Sequence, residues 1–159
     1  MRSHLKYIED LAAQAISHVD FKELPVPVNE IASAFHLEVV YFPFHDKLSG
    51  LLKKEEAVIG VNESHHPLRQ RFTVAHELGH FLLGHGLGED NRDAIDEAFD
   101  SPRPQEREAN FFASCLLMPG DWVKKQVKKD GLDIEKLSKT FGVSRQAITI
   151  RLLELRLIK

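Results

Sequence analysis

Apolar side chains recur along residues 3–18 as Leu5, Ile8, Leu11, Ala12, Ala15 and Ile16, with polar residues opposite them. That spacing predicts an amphipathic helix. A proline-punctuated connection from Phe21 to Pro27 leads to a short second helix over residues 28–35, with His36 beside it as a surface or cap residue. The pattern then changes period. Residues 37–42, Leu-Glu-Val-Val-Tyr-Phe, are β-branched and aromatic and predict a strand. Residues 48–53 and 57–61 flank Lys54-Glu55-Glu56 and predict a hairpin. Helical character returns at about Pro67 and stops at the Gly84/Gly86 pair. A further helix is predicted from Pro104, with Glu106, Ala109, Asn110, Ala113 and Leu117 one helical step apart, and Met118-Pro119-Gly120 ends it.

The tail predicts three short helices: Asp121–Lys129 closed by Gly131, then Asp133–Thr140, then Ser144–Leu155. Asp133 and Ser144 are good N-cap residues. Gly142 allows the tight turn of a helix-turn-helix between the last two. The whole reads as an α+β fold, mostly helical, with a small, mostly antiparallel sheet of about three strands. We divide it into a core over 1–120 and a helix-turn-helix-like segment over 121–159 packed on that core, as a single compact unit.

Composition changes little in this picture. At 159 residues, 43% apolar and 28% charged, the chain can bury a core without disulfide staples. The formal net charge of −3 gives no global positive field to recruit nucleic acid. The single cysteine, Cys115, excludes an intrachain disulfide and a cysteine-based zinc site; its apolar neighbours predict a buried core thiol. No run of 18 apolar residues occurs, so neither a signal peptide nor a membrane span is expected, and the cytoplasm is the default location. Residues 87–105 are long, acidic and unpatterned. Loops of that length are functional or mobile, and a flap over a site and a solvated linker fit equally well.

The candidate chemistry sits in the helix after the hairpin. His76-Glu77-Leu78-Gly79-His80 is an H-E-x-x-H pattern. On a helix, His76 and His80 project from nearly one face, where two neutral imidazoles can share a metal ion. Glu77 lies about 100° round from His76, near enough to reach a metal-bound water without being a ligand. Phe72, Val74, Ala75, Leu78 and Phe81–Leu83 surround the motif with apolar side chains, so its polar groups need partners, and a metal supplies them.

A catalytic zinc usually takes a third protein ligand and keeps one open position. Glu97, Glu106, Glu108 and several aspartates lie downstream. Glu106, near the start of a helix able to pack on the metal helix, has a modest edge, and Asn110 one turn later can hold a ligand from behind. Glu108 is about 200° further round and cannot face the metal together with Glu106.

Two blocks, 71–80 (Arg-Phe-Thr-Val-Ala-His-Glu-Leu-Gly-His) and 106–119 (Glu-Arg-Glu-Ala-Asn-Phe-Phe-Ala-Ser-Cys-Leu-Leu-Met-Pro), resemble the ImmA/IrrE family of zinc metallopeptidases, and the likeness extends over most of the chain. The resemblance implies a zincin-like core and a thermolysin-type site with Glu106 as third ligand. It also implies one Zn²⁺ per chain, manganese being the alternative. The implied substrate is a helix-turn-helix repressor of the XRE type, cleaved to derepress a prophage, a mobile element or a stress response. The acidic 87–105 segment is not expected to match between members, so substrate preference does not carry over.

In the implied reaction Glu77 is the general base, and Tyr41, His65, His85 and Arg107 are candidates for oxyanion or substrate contacts. The sheet edge before the metal helix could take an extended substrate by strand addition. The competing reading is a zinc-containing DNA-binding regulator or interaction module with little protease activity. It rests on Ser144, Arg145, Gln146, Thr149 and Arg151 along a recognition helix, and on lysines at 124, 125, 128, 129, 136 and 139.

Overall fold

The computed structural model describes residues 2–85, 92–93 and 103–159. In chain order the elements are α1 (Arg2–Ile16), α2 (Val28–Ala34), β1 (Glu38–Phe42), β2 (Gly50–Lys53), β3 (Val58–Asn62), α3 (Pro67–Leu82), β4 (Arg92–Asp93), α4 (Pro104–Leu117), α5 (Gly120–Asp130), α6 (Ile134–Phe141) and α7 (Arg145–Glu154). Helices dominate and the sheet is small, the α+β class expected. Among the described residues no helix is long and apolar enough to cross a membrane.

The sheet runs in the order β1-β3-β2-β4. The expected hairpin is there: β2 and β3 pair antiparallel, Lys53 opposite Val58. β1 joins β3 in parallel, with Glu38 opposite Val58 and Phe42 opposite Asn62, so the sheet is mixed. The chain reaches that register by passing β3's position, running back as β2 and returning. Asn62 fixes the return loop. Its buried amide donates to the carbonyls of His45 (3.1 Å) and Leu48 (2.8 Å), and its oxygen accepts from Ser64. β4 pairs antiparallel with β2 inside the 87–105 segment, where no pattern predicted a strand; two residues are too few to show a period. The choice between flap and linker for the rest of that segment falls outside the described residues.

α3 is the central element. Pro67 fills its first turn and the His66 ring accepts from the Leu68 N–H at 3.1 Å. Every residue from Phe72 to His80 is buried, because α3 packs against β2 and β3 and, on another face, against α4. α4 in turn lies between α3 and α1. Gly79 makes the α3–α4 approach close: a β-carbon there would stand 2.9 Å from the Phe112 ring and 3.2 Å from its Cβ. The second x of H-E-x-x-H is thus a packing requirement, and it brings α4's side chains within reach of the histidines.

α6 and α7 form the expected helix-turn-helix. Asp133 and Ser144 cap them through the Lys136 and Ala147 N–H groups, and Gly142 takes the left-handed conformation at φ 64°. Leu137, Phe141, Val143, Ile148 and Leu152 belong to the same hydrophobic cluster as Ile8, Ile59 and Leu78. Arg71 on α3 ties the turn down: it donates to the carbonyls of Gly142 (3.0 Å), Phe141 (3.4 Å) and Val26 (3.0 Å).

Candidate metal centre

Three buried side chains meet on the face of α3 that looks toward α4. His76 and His80, one turn apart, turn their Nε2 atoms toward each other at 3.1 Å. The Glu106 carboxylate comes from the first turn of α4, with Oε2 2.8 Å from His80 Nε2 and Oε1 3.3 Å from His76 Nε2. One ligand atom from each lies within 4.8 Å of the others. Among the described residues Glu106 is the carboxylate brought to the histidines, and Glu97 lies outside them. Pro104 starts its helix as expected, and Arg103, 4.0 Å from Oε1, flanks it. Glu77, fully buried, follows His76 on the same helix.

The donor chemistry fits a metal ion. His76 Nδ1 is 2.7 Å from Asn110 Oδ1, an acceptor, which places the ring proton on Nδ1 and leaves Nε2 with its lone pair. Two imidazole nitrogens and a carboxylate then converge in a buried space. A shared cation resolves that convergence, and a two-His, one-Glu set suits zinc.

The remaining candidates are placed as follows. His85 is buried and touches His80 from behind, Nδ1 to Nδ1 at 2.8 Å, on the opposite side of the ring from Nε2. Tyr41 sits on the edge strand β1, 43% exposed, and its hydroxyl accepts from Asn29. His65 precedes α3 and bonds the Asp46 carbonyl at 2.8 Å. Arg107 is exposed on α4. Of the four, His85 touches a member of the metal set. The sequence reading missed the part of Glu108: it turns away from Glu106, as its helical angle requires, and bonds His85 Nε2 at 2.7 Å and His4 Nε2 at 2.7 Å. Burial lowers the His85 pKa, with the Glu108 bond opposing it. For Glu108 burial acts upward, but the bonds from His85 and His4 together hold the carboxyl below its usual range.

Cys115 is buried and burial pushes its thiol up to about 12, as a core thiol requires. Arg151, expected on an exposed recognition face, is instead buried at 1% exposure. It donates through Nε to the Met118 carbonyl at 2.8 Å and meets Glu154 at 3.4 Å. On α7 it falls one helical step from Ala147 and Ile148, on the face that packs inward.

The family described as IrrE N-terminal-like domain matches residues 32–153. The chain belongs to this family. The IrrE-like region therefore spans the sheet, the metal helix, α4 and most of the tail. The radiation response metalloprotease IrrE of Deinococcus radiodurans is 32% identical over 112 residues, covering 66% of this chain and 33% of that protein. Its namesake in Deinococcus deserti is 39% identical over 79 residues, covering 46% and 27%. The chain thus spans about a third or less of the length of these curated relatives. A Mycobacterium tuberculosis transcriptional regulator superimposes with a TM-score of 0.68 at 18% identity, over 96% of this chain and 47% of that one, a likeness of fold.

Proposed function

We propose that this chain is a zinc-dependent endopeptidase that cleaves a helix-turn-helix repressor of the XRE type in the cytoplasm, relieving repression of a prophage, mobile element or stress response. The observation that carries the peptidase reading is the convergence of His76, His80 and Glu106 on one buried point, beside Glu77. Membership of the IrrE-like metalloprotease family supports it.

In this reading His76, His80 and Glu106 hold the zinc, and Asn110 orients His76. Bound there, zinc would acidify a water and polarise the scissile carbonyl. Glu77 takes the proton of the attacking water and delivers it to the leaving amine. The substrate rests on the family resemblance alone. Incubating the chain with an XRE-type repressor should give one cut, abolished by a chelator. Cleavage of unrelated unfolded proteins at many sites, with the repressor left whole, would contradict the substrate assignment.

DNA binding is the weaker reading. With Arg151 buried, α7 offers Arg145 and Gln146 outward, and Arg145 is paired with Glu135 at 3.3 Å. The same helix exposes Leu153 at 47%, an apolar residue that suits a protein partner better than a groove of bases.

A further inference from the structure

Each histidine of the centre is held at its Nδ1, but by different means. His76 bonds Asn110 directly. His80 bonds His85, and His85 bonds Glu108. Resting on the metallopeptidase reading above, we propose that His85 and Glu108 are a positioning pair for His80, a relay that fixes its ring and turns its Nε2 lone pair toward the metal.

The end of α3 builds this relay. Gly84 adopts φ 67°, and the chain closes with the His85 N–H on the His80 carbonyl (3.1 Å) and the Gly84 N–H on the Phe81 carbonyl (3.3 Å). This is the Schellman arrangement, in which the residue after the left-handed glycine is laid back against the third residue from the helix end. That third residue is His80, so the cap itself delivers the His85 ring to His80. An apolar pair usually fills these two positions; here two imidazoles do. Lys54, at the tip of the β2–β3 hairpin, donates to the His85 carbonyl and secures the same residue from the sheet side.

The proton pattern follows from the terminal acceptor. The Glu108 carboxylate can only accept, so His85 Nε2 carries the hydrogen and donates to it. The neutral ring then offers Nδ1 as acceptor to His80 Nδ1–H, which leaves His80 Nε2 free to ligate. Glu108's second oxygen accepts from His4 on α1, so the carboxylate is held between two helices and cannot swing away without breaking both bonds. Such outer partners are worth about 10- to 100-fold in metal affinity.

The test measures zinc affinity by chelator competition and the visible spectrum of the cobalt-loaded chain. Wild type is compared with His85→Ala, His85→Gln, Glu108→Ala and Glu108→Gln, and the melting temperature of each metal-free form is recorded as a control of fold. His85→Ala should lose about 10- to 100-fold in affinity and shift the cobalt bands. His85→Gln, whose amide oxygen can still accept from His80, should recover most of the loss. Glu108 is partly exposed, so Glu108→Ala folds in any case; it should weaken zinc in the same direction, with Glu108→Gln restoring it. Wild-type affinity and an unchanged cobalt spectrum in both alanine variants would overturn the proposal. So would a loss in Glu108→Ala that Glu108→Gln fails to restore. A wild-type chain that takes up neither zinc nor cobalt would overturn the metal reading itself, and the relay with it.

Discussion

Glu77→Gln is expected to keep its zinc and lose at least ~10²-fold in the rate of peptide hydrolysis, the usual scale for removing a general base. Glutamine has nearly the shape of glutamate, so the fully buried position loses its basicity without opening a cavity. The three proposed protein ligands remain, and metal content should match the wild type. The loss should appear in kcat, because in the proposed mechanism Glu77 acts on the attacking water and not on substrate binding. Single-turnover cleavage by a zinc-loaded variant at the wild-type rate would remove Glu77 from the mechanism.

His76→Ala should empty the site. The variant leaves His80 and Glu106, one ligand fewer than catalytic zinc sites ordinarily use. It also leaves Asn110 without the ring that now stands 2.7 Å from its amide oxygen. Elemental analysis after dialysis should find zinc in the wild type and next to none in the variant, and cleavage should vanish with it. Full occupancy in His76→Ala would mean that the metal sits elsewhere.

Much of this centre is legible in the sequence because it follows helix geometry. His76 and His80 share a face by the 3.6-residue period, and Glu106 and Asn110 share one by the same rule on α4. What periodicity leaves open is which carboxylate crosses from α4 to α3. That depends on the distance between two helices, set here by Gly79 against Phe112, a contact between residues 33 positions apart. His85 is the instructive case. Its neighbour Gly84 signals a helix end, and a helix end of this kind places the next residue against the third from last. The cap was readable; its consequence for His80 appears only once the hydrogen bonds are laid out.

The tail shows the opposite limit. The caps at Asp133 and Ser144 and the turn at Gly142 were read from local chemistry and formed as expected. The role of Arg151 was not, because a polar residue on a short helix carries no mark of which face packs inward. Burial of an arginine needs partners far along the chain, here the Met118 carbonyl and Glu154, and no local pattern announces them. The parallel β1–β3 pairing escaped for a similar reason, since strand propensity gives a strand's existence and not its neighbour.

In the proposed mechanism peptide cleavage depends on one metal held by His76, His80 and Glu106. The most direct test is to follow the native mass and the cleavage activity of one wild-type preparation through chelation and the stepwise return of zinc. A mass increment of one zinc per chain should disappear and return in proportion to activity, both reaching their plateaus at one equivalent. Cleavage that persists in the metal-free chain, or activity that needs a second equivalent, would contradict this dependence.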